Sequence, residues 1–324
     1  MHVLRSGLKV NGASINQTMN AKRIASFLPS ATEILYELGV GDNVVCVTHE
    51  CDYPDLAKSK PCVIHSCFDH TKMTSKEIDN QVVKLMQSGN DIYILDEQVL
   101  KKANPDLIIA QGLCDVCSPT TREVNRAVSI LSNKPEVVIL DPHNLNDILS
   151  GILELAKHVG KEIEAQNLID SIQKRIEIIK KSVKSRPKVL CIEWLDPPFT
   201  AGHWVPQMVE TAGGINGISD VGKPSRRMKL EEALLFDPDI IVLMPCGFDI
   251  NRIRQEYSHL ANNEEWKLLR AVRDNQVYAV DANSYFSKPG PRTVTGIEIL
   301  AKIIHPEVFV DMKIPKDSFV QINS

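Results

Sequence analysis

Two cysteines two residues apart, Cys114 and Cys117, sit in QGLCDVCSPT directly after the apolar run DLIIA. A C-x-x-C at that place is a metal clasp, a redox dithiol or a pair of small residues packed at the start of a helix. His49, Cys51, His65, Cys67 and His70 lie in other loop-like segments of the same half of the chain. Thiolates and neutral imidazoles are zinc ligands, so His49, Cys51, His65, Cys67, Cys114 and Cys117 make a candidate metal set, although HEC and CFDH lack the knuckle spacing of a zinc ribbon. A thioredoxin-like dithiol needs surroundings that stabilise a thiolate, and Asp115 adds negative charge instead. No nucleophile–base–orienter set, phosphate-cradling glycine loop or H-E-x-x-H motif is present, so catalysis is not expected.

The second kind of candidate is aromatic. Aromatic residues are only 5% of the chain, yet Trp194, Phe199 and Trp204 fall within eleven residues, WLDPPFTAGHW. Loop aromatics without a helical stripe suit a flat apolar ligand face, with simple hydrophobic cover as the plainer alternative. Tyr285 and Phe286 follow the strand-like VYAVDA, and Tyr285 adds a polar tip to a ring face. Arg292, at the start of the next helix, is expected to brace that loop through backbone carbonyls. Ser30 reads as the N-cap of a helix, with Glu33 completing an S-x-x-E capping box, and its helix N-terminus can accept an amide or an anion.

The elements that would position these residues are legible as a repeated grammar. RIASFLPSATEILYELGVGDNVVCVT reads as strand (24–28), helix stopped by Gly39, and strand (44–48), a β-α-β unit with parallel strands. Further strands are read at Leu107–Ala110, Val137–Leu140, 188–194, within DIIVLM and within NQVYAV. The phrase helix–Pro-Asp–strand occurs at LKKANPDLIIAQ and again at LEEALLFDPDIIVL, with Pro105 and Pro238 about one lobe's length apart. Between the halves, residues 143–185 keep helical apolar spacing with no proline, which predicts one long helix, bent near Gly160, and small lobe closure. Ligands of such sheets bind beyond the carboxyl ends of the strands. The division is therefore a leader (1–21), an N-terminal α/β lobe (22–142), a connecting helix (143–185) and a C-terminal α/β lobe (186–324).

With 324 residues, 43% hydrophobic and 24% charged, the chain reads as globular. A net charge of −4 argues against nucleic acid as partner. No run approaches the roughly 18 continuous apolar residues of a membrane span, and the first 23 residues lack the apolar core of a secretory signal. As written the chain is expected to be cytoplasmic with reduced thiols, or extracytoplasmic if the native start differs.

LPSATEILYELG, THECDYP, PDLIIAQ, DPPFTAGHWVPQMVETAGG, LEEALLFDPDIIV and VYAVDANSYFSKPGPR, in this order and spacing, resemble the helical-backbone (class III) ABC-transporter substrate-binding proteins, above all the cobalamin-binding branch. The likeness covers about residues 22–310 and is closest to a subset without a signal peptide. It implies two Rossmann-like lobes with mainly parallel sheets, a rigid connecting helix, and cobalamin or a related corrinoid bound without catalysis in the cleft between them. Ser30, His49, Glu50, Cys114, Trp194, Phe199, Trp204, Tyr285 and Phe286 are then the ligand contacts. A permease partner would be engaged by one surface glutamate per lobe, Glu97 and Glu231, against which the missing export signal counts. A monomer is expected. The alternatives are a zinc or other transition-metal binder using the Cys/His cluster, and a cytoplasmic corrinoid-processing enzyme. One segment departs from the family pattern: MTSKEIDNQVVKLMQSGNDIYILDEQVL stands like an insertion in the first lobe.

Overall fold

The computed structural model describes residues 22–112 and 121–322, so the leader, Cys114 and Cys117 lie outside the described residues. The first sheet holds β1 (Ile24–Ser26), β2 (Val44–Thr48), β3 (Cys62–Ser66), β4 (Tyr93–Leu95), β5 (Leu107–Gln111) and β6 (Glu136–Leu140), in the order β4-β3-β2-β1-β5-β6. Only β4 runs antiparallel to its neighbour. The helices of this half are α1 (Pro29–Glu37), α2 (Ser75–Ser88), α3 (Glu97–Ala103) and α4 (Thr121–Ile130). Then come α5 (Leu145–Val159) and α6 (Glu162–Ser182). The second sheet holds β7 (Val189–Leu195), β8 (Pro198–Thr200), β9 (Ile240–Leu243), β10 (Val277–Val280) and β11 (Phe319–Gln321), in the order β11-β10-β9-β7-β8. Its centre is parallel and both edge pairs are antiparallel. The accompanying helices are α7 (Val205–Thr211), α8 (Leu230–Phe236), α9 (Ile250–Ala261), α10 (Glu264–Leu268), α11 (Arg270–Arg273), α12 (Ala282–Tyr285) and α13 (Thr293–Ile304).

Strand alternation sends Leu107 and Ile109 into one core and Ile108 and Ala110 into another, so the first sheet is covered on both faces. The second sheet divides in the same way, with Val189 and Cys191 on one face and Leu190 and Ile192 on the other. The two Pro-Asp phrases share their bonding as well as their order. Asp106 accepts from the Arg23 amide and donates its own amide back to the Arg23 carbonyl; Asp239 makes both bonds with Lys188. The basic side chain then caps the preceding helix, Arg23 on the carbonyl of Ala103 and Lys188 on that of Phe236. Asn104 and Asp237 end those helices in the left-handed conformation. The two lobes thus solve one turn problem twice.

Two expectations are corrected. Gly160, at φ 68°, ends α5, and the predicted single helix is two. Leu145 and Ile148 cluster with Ile179, while Ile152 and Leu155 cluster with Ala165 and Ile169, so α5 and α6 run antiparallel. Helix α6, about 31 Å long at 1.5 Å per residue, runs from one lobe's core to the other, and α5 and α13 also place side chains in both. The capping box at Ser30 is absent. Helix α1 begins at Pro29, whose fixed φ suits the first turn, and neither Ser30 nor Glu33 caps it. Glu33 is instead taken by an arginine of the other lobe, described below.

Candidate functional site

The carboxyl ends of the parallel strands face one another across a solvent-open cleft of about 900 Å³. From the first lobe come Leu28, Pro29 and Ser30 after β1, Glu50 after β2 and Gln111 at the end of β5. From the second come Glu193 of β7, the loop Gly202–Val205, Ser225, then Met244, Cys246 and Gly247 after β9, and Asn283 with Phe286, Ser287, Lys288 and Pro289 after β10.

The apolar wall is Trp204 and Phe286, both buried and fixed to each other, because the Trp204 indole N–H donates to the Phe286 carbonyl at 2.9 Å. His203 stacks on Trp204 with ring centres 5.7 Å apart. Its backbone sits at φ 52°, held by bonds to Lys223 and Gly222, which aims the imidazole at the cleft. Burial and the neighbouring His143 push its pKa down, so the ring is neutral near pH 7.

The polar lining is acidic. Burial pushes the Glu193 carboxyl up, opposed by hydrogen bonds from the Ser225 hydroxyl and the Gly202 amide. Glu50 is held low by its bond to His49 at 3.3 Å, and the His49 pKa is raised by the same pair in spite of burial. The cation of the described lining, Lys288, is only 7% exposed and is committed to Asp52 at 2.6 Å. Asn283 holds the other Asp52 oxygen at 2.6 Å.

These contacts are part of a seam between the lobes. Arg292 grips Glu33 at two points, 3.0 and 2.5 Å, and lies over the Tyr53 ring at 3.9 Å. Arg292 therefore braces the other lobe's carboxylate and not its own loop carbonyls, as the sequence suggested. Gly290 packs so closely on α1 that an added Cβ would stand 3.3 Å from Ser30 Cβ. The Ser30 hydroxyl is buried there without a hydrogen-bond partner among the described residues.

Of the residues singled out from sequence, Ser30, Glu50, Trp204 and Phe286 line the cleft, while His49, Trp194, Phe199 and Tyr285 lie off its lining. Phe199 belongs to β8 and carries Arg227 at 5.7 Å, and Trp194 packs on Phe248 at 5.3 Å. His203, Glu193, Asn283 and Lys288 were missed. GHW and KPGPR contained two of them, but nothing in the sequence says that a left-handed turn aims His203 inward.

The described part of the Cys/His cluster does not assemble, and Cys114 and Cys117 lie outside the described residues. Among the described residues no group of three His, Cys, Asp or Glu side chains could hold a metal. Cys51 is buried against the hydroxyls of Thr32 and Thr48, and burial raises its thiol pKa. His65 is exposed and faces Cys62 at 3.6 Å, a pair the sequence did not suggest. Glu97 is paired with Arg126 and Lys101, while Glu231 is exposed on the first turn of α8. No helix of the described residues is long and apolar enough to cross a membrane.

The inserted segment holds a second surprise. Helix α2 starts in a full capping box, Thr74 with Glu77, and stops at left-handed Gly89. Its buried residues, Ser75 and Ile78, are buried by the other lobe. Ile78 enters the core of the second sheet with Leu190 and Ile192. The segment crosses from the first lobe and docks on the second.

Comparison with known proteins agrees with this architecture. The family described as "Periplasmic binding protein" matches residues 24–284. The vitamin B12-binding protein of Vibrio cholerae is 24% identical over 286 residues, covering 86% of this chain and 87% of its own. An uncharacterized ABC transporter substrate-binding lipoprotein of Bacillus subtilis is 25% identical over 299 residues, covering 89% and 81%. Among solved structures, a periplasmic heme-binding protein from Pseudomonas aeruginosa superposes with TM-score 0.71 at 16% identity, covering 94% of this chain and 98% of its own. The periplasmic vitamin B12-binding protein of Vibrio cholerae gives 0.61 at 22%, covering 88% and 97%. These relatives are periplasmic proteins or lipoproteins, which overturns the cytoplasmic placement read from the N-terminus. The two parallel-sheet lobes, the helices shared by their cores and the match over most of the length agree: the chain belongs to the periplasmic binding protein family, in its class III form, and is a substrate-binding protein.

Proposed function

We propose that the cleft binds a corrinoid, cobalamin or a close relative, as cargo for an ABC permease and without chemical change. The observation that carries this reading is the charge of the lining. A buried aromatic wall, Trp204 with Phe286, shares the described lining with Glu50, Glu193, Gln111, Ser30 and Asn283, while the lysine of that lining is spent on Asp52. A heme would bring two carboxylates, and an anionic ferric siderophore its own negative charge, against Glu50, whose carboxyl His49 keeps ionised, beside a Glu193 whose carboxyl burial pushes up. Neither would find a free cation among the described lining residues, and like charges in a partly desolvated site repel strongly. A corrin rimmed by neutral carboxamides meets the same groups as acceptors for its N–H bonds and lays its apolar face on the indole. The B12-binding relative in Vibrio cholerae supports the same ligand class.

Incubation with cyanocobalamin followed by gel filtration tests this. The reading expects the corrin absorption to travel with the protein at one equivalent, and loss of all colour from the protein peak would refute it.

A further inference from the structure

The second lobe's share of the cleft is built on two loops zipped to each other, residues 200–205 and residues 222–227. The Thr200 amide donates to the Arg226 carbonyl at 2.9 Å, the His203 amide to the Lys223 carbonyl at 2.6 Å, and the Gly222 amide to the His203 carbonyl at 2.9 Å. Between these bonds the backbones touch, since a Cβ on Gly202 would overlap the Ser225 amide nitrogen. One side chain ties both loops to the sheet. The Glu193 carboxyl, on β7, accepts from the Gly202 amide of the first loop at 3.0 Å and from the Ser225 hydroxyl of the second. Its backbone carbonyl accepts from the Cys246 amide, after β9, at 3.0 Å. All three partners line the cleft.

What this clamp presents to the cleft is His203. Its backbone stands at φ 52°, a conformation that costs a residue with a Cβ free energy and that collects at functional sites. The ring is fixed by stacking on Trp204 and lines the cleft. His143 faces it with ring centres 6.3 Å apart, and neither ring nitrogen of His203 has a hydrogen-bond partner among the described residues. A neutral imidazole in that position offers one N–H donor and one acceptor, the complement of a primary carboxamide.

We propose that His203 is the hydrogen-bonding contact for a carboxamide of the ligand, and that Glu193 is the positioning residue that sets His203 in place through the two loops. The choice of a carboxamide rests on the corrinoid reading of the same cleft; the clamp itself does not.

Calorimetry of the full chain with cyanocobalamin at pH 7 tests both roles. His203→Asn tolerates the left-handed turn but falls short of the imidazole's reach, and affinity should drop about tenfold, the effect of one lost hydrogen bond in a buried site. Glu193→Ala should cost about as much, whereas Glu193→Gln, able to accept from Gly202 and donate to Ser225, should bind within about threefold of wild type. Because Glu193 acts through His203, adding Glu193→Ala to His203→Asn should weaken binding by less than about threefold more. Ser225→Ala, which removes one of the two side-chain bonds, takes the place of Glu193→Ala if that variant does not fold. Unchanged affinity in His203→Asn, losses that multiply in the double variant, or Glu193→Gln as weak as Glu193→Ala overturns the proposal. If the wild type binds no cyanocobalamin, the corrinoid reading falls and the carboxamide with it. Hydrogen exchange without ligand then decides the clamp: Glu193→Ala or Ser225→Ala should speed exchange in residues 200–205 and 222–227 by about tenfold or more and leave β9 unchanged. Equal exchange in wild type and variants overturns the positioning role.

Discussion

Glu33 of the first lobe and Arg292 of the second form a two-point ion pair, with the carboxylate only 3% exposed. Removing one partner of such a pair leaves an uncompensated buried charge, which costs about 3–5 kcal/mol. Arg292→Ala should lower stability by that amount in urea denaturation. Arg292→Lys should recover only part of it, because an ammonium cannot reproduce the paired bonds of the guanidinium. A loss below about 1 kcal/mol, the worth of an exposed pair, would show that the seam does not hold the lobes.

Asp52 gives the seam a pH dependence. Burial pushes its carboxyl up, but Lys288 and Asn283 outweigh it and hold the pKa below the usual value. A carboxyl depressed on folding contributes stability above its unfolded pKa, near 3.9, and loses it as pH falls through the lower folded value. Asp52→Asn should therefore be less stable than wild type at pH 7, with the difference shrinking below about pH 4. Denaturation midpoints across pH 3–7 measure this; a constant difference would rule out the charge as its origin.

The wall of the cleft makes a separate prediction. Trp204→Ala removes the indole face and the bond to Phe286, and corrinoid affinity should fall at least about tenfold, or 1.4 kcal/mol. Since Trp204 is buried, Trp204→Phe serves as the control for folding, keeping a ring while losing the N–H bond. It should retain most of the stability and bind with intermediate affinity in calorimetry. Affinity equal to wild type in both variants would remove the indole from the site.

The fold was the most legible part of the sequence because it rests on local rules. Strand alternation and the Pro-Asp phrase placed β2 to the residue and β5 to within one, and the repeat at Asp106 and Asp239 reappears as identical hydrogen bonds. Short edge strands β4, β8 and β11 carry too few residues to show a period. The Ser30–Glu33 spacing predicted a local cap, but a long-range partner, Arg292, took the glutamate. The cleft was half legible. Trp204, singled out by aromatic clustering, and Phe286, by its place after a strand, line the cleft, whereas Trp194 and Phe199 fit the clustering and pack against other side chains. The Trp194 indole is engaged by the Ser75 carbonyl of α2, and a contact between residues 75 and 256 leaves no trace in either segment alone. The C-x-x-C of Cys114 and Cys117 falls outside the described residues.

The charge of the lining makes the most discriminating claim, because it separates an amide-rimmed corrin from a propionate-bearing heme. Isothermal titration of the purified full chain with cyanocobalamin and with hemin, side by side at pH 7, measures it directly. The account predicts one-to-one binding of cyanocobalamin at least about a hundredfold tighter than hemin, equivalent to about 2.7 kcal/mol. Glu50→Gln should narrow that gap by easing the repulsion of the propionates. Hemin bound as tightly as cyanocobalamin, or more tightly, would contradict it.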